Sequence, residues 1–312
     1  MGFATIATDL TKYVDETSGQ LIKEAILTGR TVDMVTVQGG IKHSATINTL
    51  STALIGQPGA CGWDAAGTTS LEQRTITVDP IKINETICLN TLEDYYTSTM
   101  MNAGSYNEAI PFEQIFAESK RDSLKALVED LVWRGNKSTG SGNLALADGF
   151  IKVFGDAVTA TDLVAHPYTI STFAGSVLLD TIDEAIALIP ENVLDLDDLT
   201  LFLSYADYRK YSKALRDTNL FAYTGAENQG GEFMQMHPGT NVKVVATKGL
   251  SGTNKFVISP ASNLVVGTDL LGDAEDFKIF YSQDNDEVRF LAKFKVGVQA
   301  AFIENVVYFV GA

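Results

Sequence analysis

Residues 107 to 135 carry the spacing of one long amphipathic helix, and a rigid element of that length constrains everything around it. Pro111 suits a first helical turn, where its missing N–H is not needed, and Glu113 sets negative charge near the positive end of the helix dipole. Phe112, Ile115 and Phe116 are followed by Leu124, Leu127, Val128, Leu131 and Val132, the i, i+3, i+4, i+7 pattern of a single buried stripe. Glu118, Arg121, Asp122, Lys125 and Glu129 are expected on the opposite, solvated face. Trp133 ends the stripe and is expected in a core; Gly135 follows and is expected to supply a left-handed stop. From Pro111 to Arg134 such a rod runs about 36 Å. A beam of that length is more than one compact domain usually requires.

The chain has 312 residues, enough for two modest domains, and its 45% hydrophobic and 20% charged content marks a globular protein. No uninterrupted apolar run approaches the ~20 residues needed to span a bilayer. Met1 to Leu10 lacks the basic and apolar regions of a signal peptide, so synthesis in a cytoplasm is expected. Two cysteines, Cys61 and Cys88, cannot make a disulfide framework and are expected to be reduced. Net charge is −16, and the 23 Lys and Arg are spread without a positive footprint. Tight binding to nucleic acid is therefore disfavoured, whereas enclosing DNA without gripping it is compatible with this charge.

Around the helix the texture changes. Ser18 to Gly29 reads as a short helix following an N-terminal arm. Val35 and Val37 are expected on one side of a short strand, Val32 and Met34 on the other, with Gly39-Gly40 ending it. Ile41 to Leu50 reads as extended, with Ala45, Ile47 and Thr49 on one side, and Gly56 to Gly62 as a turn-rich tip. Thr75 to Val78 and Ile81 to Ile83 return as strand, with Pro80 interrupting. This long excursion has little apolar mass of its own, and an isolated two-stranded ribbon is marginal in water. A neighbouring subunit is the simplest support for it. Beyond the Ser/Gly-rich turn at Lys137 to Gly142, an α/β region follows. A helix over Val177 to Ile189 stops before Pro190, Leu199 to Leu203 reads as a buried strand, and Ser204 with Asp207 caps a helix through Leu215. Asn219 to Gly239 reads as a loop, Val242 to Ala246 and Phe256 to Ser259 as strands. Phe277 to Tyr281, Val288 to Ala300 and Ile303 to Val310 close the chain as β structure; Phe290, Ala292, Phe294, Val296 and Val298 share one face by period two.

Catalytic and metal constellations do not emerge. His43, His166 and His237 have no ligand partners at metal spacing, and the last two precede prolines, which favours loops. Gly140-Ser141-Gly142 lacks the Lys and preceding strand of a phosphate loop and reads as a connecting turn. Asp195, Asp197 and Asp198, and Asp284, Asp286 and Glu287, form acidic clusters without an EF-hand pattern and read as solvated turns. Neither enzyme activity nor a cofactor is expected. Two residues stand out as contact candidates. Trp63 sits near the tip of the excursion, where an exposed ring wants a partner surface, and Arg74 starts the returning strand, placed to pair with an acidic neighbour.

The order of parts resembles the major capsid proteins of tailed double-stranded DNA bacteriophages, the Hong Kong ninety-seven fold family. Three stretches carry the resemblance. Pro111-Phe112-Glu113-Gln114-Ile115 through Leu131-Val132-Trp133-Arg134-Gly135 resembles the family's spine helix. Leu201-Phe202-Leu203-Ser204, leading to Tyr208 and Leu215-Arg216-Asp217, is similar to a strand–helix element of its axial domain. Asp286-Glu287-Val288-Arg289-Phe290 through Gly297 resembles the closing strand of its peripheral domain. The resemblance implies an α+β chain with an N-terminal arm (1–35), an extended β loop (36–92), a peripheral domain with the spine helix 111–134 (93–150 and 265–300) and an axial α/β domain (151–264 and 301–312). It implies a virion protein assembled in the host bacterial cytoplasm, self-associating as hexamers and pentamers into an icosahedral shell around DNA, with the excursion lying across the adjacent subunit. A separate scaffolding protein, a portal and possible decoration proteins are the implied partners. Some members carry a large N-terminal scaffolding domain; here the excursion begins about thirty residues from Met1, so scaffolding is expected from a separate protein or from none. Others weld subunits through a lysine on the excursion; residues 43 to 81 contain none, so a non-covalent shell is expected, with Lys42 and Lys82 the nearest candidates. An encapsulin-type shell packaging a cargo enzyme is the alternative with the same fold. A tail-tube protein fits the long helix and two-part body poorly.

Overall fold

The computed structural model describes residues 29–57, 59, 66–88, 112–168, 175–218, 233–269, 277–282, 284–285 and 287–311. The helix expected from Ser18, the tip residues Cys61 and Trp63, and residues 219–232 of the long loop lie outside the described residues.

The described chain opens with a turn. Asp33 N donates to Gly29 O at 2.8 Å and Val35 N to Thr31 O at 3.1 Å, so Val32 and Val35, three residues apart, are both buried. The alternation expected over Val32 to Val37 is therefore replaced by helical-turn spacing, and the first strand, β1, is only Thr36–Gln38. Gly40 then takes a positive φ of 79°, turning the chain into β2 (Ser44–Ala53). β3 (Thr68–Thr77) pairs antiparallel with β2, and after the single residue Val78 the chain continues as β4 (Asp79–Cys88). Pro80 lies inside β4, opposite Lys295, rather than interrupting the strand. It sits near the start of a strand whose pairing is with one neighbour, where a missing N–H is tolerated.

The expected rod is α1 (Phe112–Arg134). Leu124, Val128, Leu131, Val132 and Trp133 are buried. Glu129 is the correction: it too is buried, because the last turns of α1 are covered on a second side by the 29–35 turn. Gly135 does not take the left-handed conformation. A Cβ there would lie 2.4 Å from Ala147 O, so glycine is required by the close approach of the 147–149 segment, whose Gly149 N donates to Gly135 O at 2.9 Å.

α2 (Phe150–Thr159) was not anticipated, although Phe150, Phe154 and Ala157 bury one helical face. β5 (Ala165–Tyr168) places His166 in a strand instead of a loop. α3 (Gly175–Ala187) and β6 (Leu199–Ser204) match the expected helix and buried strand. Ser204 caps α4 (Tyr205–Asp217): its hydroxyl accepts from Asp207 N at 3.1 Å and donates to Asp207 Oδ2 at 2.7 Å. β7 (Met234–Met236) lies within the segment read as loop; it is followed by β8 (Lys243–Thr247), β9 (Lys255–Pro260) and β10 (Leu264–Thr268), the last unanticipated. β11 (Phe277–Ser282), β12 (Glu287–Ala300) and β13 (Val307–Gly311) complete the chain. Ile303–Asn305 is a short 3-10 turn, so the final strand starts later than expected.

Two larger sheets result. The six-stranded sheet runs β5-β13-β9-β6-β8-β7, with α3 and α4 on one face. In the other sheet β12 is the long member. β4 lies along one side of it from Val296 to Glu287, while β10 and β11 follow one another along the opposite side, and β1 adds to β10. α1 and α2 lie in a core shared by both sheets. Phe290, Ala292, Phe294, Val296 and Val298 meet it from β12, Phe202 and Val257 from the other sheet. Trp133 stands at the junction, its ring 5.4 Å from Phe150 and 5.2 Å from Phe202. The strands of β6 bury both faces, Leu201 and Leu203 one way and Phe202 the other, hence its unbroken apolar run.

Candidate assembly surface

Among the described residues β2 and β3 pair only with each other, in a register from Ser44↔Thr77 to Ala53↔Thr68, forming a ribbon about 34 Å long. Its two faces follow from period two. Ala45, Ile47 and Thr49 share one with Ile76, Arg74 and Glu72; Asn48, Leu50 and Thr52 share the other with Gln73, Leu71 and Thr69. Thr49 and Ile76 are the only buried residues of the two strands. The second face carries a directly opposed pair, Leu50 and Leu71, 58% and 76% exposed. Leu54 and Ile55, beyond the end of β2, are 91% and 60% exposed. Besides Ala45, Ile47, Ala53, Ile76 and the leucine pair, the strands carry uncharged Ser, Thr, Asn and Gln, with Glu72 and Arg74 their sole charges. A neutral element on a protein of net charge −16 can meet a second acidic surface without the general repulsion.

Among the described residues the ribbon is fastened at its root. Ile41, Ile76, Val78 and Val265 form a small separate cluster there, with Ala45 and Ile47 against it. Gly267 of β10 and Gly297 of β12 are cross-strand partners beneath this cluster. A Cβ on Gly267 would lie 2.8 Å from Ile76 Cδ1 and 2.9 Å from Ile41 Cδ1, and one on Gly297 would lie 2.0 Å from Thr77 O. The missing side chains make the seat across which the root passes. Ile41 N donates to Thr268 O at 3.1 Å, Val78 N to His43 O at 2.9 Å, and Gln299 Nε2 to Thr75 O at 3.1 Å. Lys137 bonds Asp79 at 2.8 Å, and this contact, more than the slight opposing effect of burial, holds its ammonium above the ordinary lysine value.

Arg74 is half-buried and directly opposite Ile47; Trp63 lies outside the described residues. Leu50 and Leu71 were missed, although large aliphatic residues within Ser/Thr runs were the available signal. The histidines have other roles. His43 is exposed at the root turn. His237 is buried after β7; its Nδ1 meets the Tyr211 hydroxyl at 2.8 Å and its Nε2 the Asp183 carboxylate at 2.8 Å, tying together α3, α4 and the β7–β8 turn. Asp198 accepts from Ser262 N at 3.0 Å, a turn-stabilising bond. The Gly140–Gly142 stretch is a connecting turn held by Asn136, whose Oδ1 accepts from Ser138 N and Thr139 N at 3.0 Å. Among the described residues no group of three or more His, Cys, Asp or Glu could hold a metal ion, and no helix is long and apolar enough to cross a membrane. The arrangement offers surface to be covered.

No protein-family model and no curated sequence matches the chain. Solved structures do. A chain of the satellite phage P4 procapsid, a structure that includes the size determination (Sid) protein, is similar over 93% of this chain and 89% of its own, with TM-score 0.61 and 11% identity. The capsid of Myoviridae phage XM1 is similar over 92% of both chains, with TM-score 0.56 and 14% identity. A structure from Mycobacterium phage Ogopogo is similar over 91% of this chain and 92% of its own, with TM-score 0.59 and 14% identity. At such identities the likeness speaks to backbone architecture: this is the α+β fold of tailed-phage capsid structures.

Proposed function

We propose that this chain is the major capsid protein of a tailed phage, a structural component of the virion that assembles with copies of itself. The observation that carries the reading is the opposed, solvent-facing Leu50–Leu71 pair on a ribbon whose strands, among the described residues, pair only with each other, within a fold similar to capsid structures over more than nine-tenths of its length. A closed shell needs repeated self-complementary contacts and extended elements that become buried only on assembly. In this reading the ribbon is the extended loop lying across the neighbouring subunit, with Arg74 and Trp63 among its contacts. The β12 sheet with α1 forms the peripheral domain and the six-stranded sheet with α3 and α4 the axial domain. Copies associate as hexamers and pentamers in an icosahedral shell. Scaffolding comes from a separate protein, a portal occupies one vertex, and the shell holds by non-covalent contacts. The acidic balance suits a container that encloses double-stranded DNA without binding its sequence.

Electron microscopy of the purified protein, alone and coexpressed with neighbouring phage genes, tests this. Uniform closed particles are expected, containing double-stranded DNA when filled. Particles that instead enclose a folded enzyme would transfer the reading to an encapsulin-type compartment. A chain that stays monomeric at high concentration, across salt conditions and with scaffolding supplied, would overturn both.

A further inference from the structure

The turn at residues 29–35 meets α1 through a carboxylate sealed inside the protein. Glu129 is 5% exposed. Thr31 N donates to its Oε2 at 3.3 Å, and the Thr31 hydroxyl donates to its Oε1. Trp133 Nε1 in turn donates to Thr31 Oγ1 at 2.7 Å, which commits the single hydroxyl proton to Glu129. Gly29 is buried against the same group: a Cβ there would lie 3.1 Å from Oε2.

Among the described residues the surrounding charges do not neutralise this carboxylate. On α1, Asp130 is adjacent and is itself paired with Arg134 at 2.8 Å, while Arg134 also donates to Ser251 O at 3.3 Å. The charge of Lys125 acts on Asp33. On the turn, Asp33 adds negative charge, and Arg30 acts on the Tyr208 phenol. The segment packed against the helix from the other side presents Gly249, with exposed Lys248 beside it. Among the described residues, an ionised Glu129 would therefore be a buried anion beside two carboxylates, supported by dipoles alone, an expensive arrangement.

We propose that Glu129, Thr31 and Trp133 form a proton-dependent lock that fixes the 29–35 turn on α1 when the carboxyl is neutral and loosens it when the carboxyl ionises. A neutral carboxyl keeps the bond from the Thr31 hydroxyl on its carbonyl oxygen, while the longer bond from Thr31 N then falls on the weaker hydroxyl acceptor. Burial pushes the carboxyl above its ordinary range; the Thr31 donors pull it partly back, and Asp130 and Asp33 add to the rise. A carboxyl raised in the docked state holds its proton more tightly docked than released. The stability this carboxyl lends to docking is therefore fully present below the ordinary glutamate range and is lost as pH rises through the raised value. The lock belongs to the single subunit and stands whether or not copies form a shell.

The test uses the full chain with Trp63→Phe, leaving Trp133 as the only indole, and follows its emission together with amide exchange at Thr31 to Val35 from pH 5 to 8. Protection, corrected for intrinsic exchange, is expected to be lost progressively as pH rises. Trp133 emission should move in parallel. Adding Glu129→Gln should remove most of the pH dependence of both signals, leaving the smaller part that partial burial of Asp33 on the same turn supplies. Equal pH dependence with and without Glu129→Gln, or no dependence in the parent, overturns the proposal. If Glu129→Gln unfolds the chain, Thr31→Val decides instead. It removes a donor that favours the ionised form, so the midpoint should move to higher pH, and an unmoved midpoint overturns the lock.

Discussion

Gly267 and Gly297 face each other across β10 and β12, and the root of the ribbon occupies the space that side chains on both would fill. The two positions differ in what they touch. Gly267 faces the flexible ends of Ile76 and Ile41, while Gly297 faces the backbone of Thr77. Gly297→Ala should therefore be the more damaging, with an overpacking cost of about 1–3 kcal/mol and a displaced root. Thermal melting of the single subunit should show a larger drop for Gly297→Ala than for Gly267→Ala, and equal effects would refute the seat.

The Leu50–Leu71 pair offers a separation of folding from association. Both side chains are more exposed than buried, so Leu50→Ser with Leu71→Ser should change subunit stability by no more than about 0.5 kcal/mol per site. Assembly should fail or need far higher concentration, because each fully buried leucine contributes about 1.5–3 kcal/mol. Sedimentation velocity beside thermal melting reads both quantities; unimpaired particle formation would remove the ribbon face from the interface.

Tyr211→Phe tests the tie at His237. The substitution leaves the buried Nδ1 without its 2.8 Å partner, an unsatisfied group costing about 1–3 kcal/mol. Urea denaturation should show the lowered midpoint, with the slope unchanged.

Two buried phenols should make the subunit sensitive to alkali. Burial pushes Tyr308 up to about 12 and raises Tyr211 further, with Tyr208 and Asp183 adding to the latter. Unfolded tyrosines ionise near their ordinary value of about 10, so the folded state holds more protons above that pH and stability falls as pH climbs from 10 toward 12. Melting temperature should decline over that window, and tyrosinate absorbance at 295 nm should rise late for Tyr308→Phe-sensitive signal.

α1, β6, the Ser204 cap and the alternating face of β12 were legible because each rests on a local rule: a helical stripe, an apolar run, a cap three residues from its carboxylate, a period of two. β10 was not, since Leu264–Thr268 is buried on both faces and too short to declare a period. Glu129 was misplaced because an amphipathic helix has one expected wet face, and only tertiary structure reveals that the 29–35 turn covers it. In the ribbon, the Ala45–Ile47–Thr49 face was legible. The opposition of Leu50 to Leu71 depends on register, and a long connection between the strands does not fix register as a tight turn would.

Only Val78 separates β3 from β4, and β4 is paired with β12 at every position from Asp79 to Cys88. A pull on the ribbon's far end is thus carried straight along one covalent strand into a ten-residue ladder loaded in shear, where many bonds must yield together. The outstretched limb is mechanically spliced to the longest strand among the described residues, so tension between neighbours would be delivered to the sheet before it reached either helical layer.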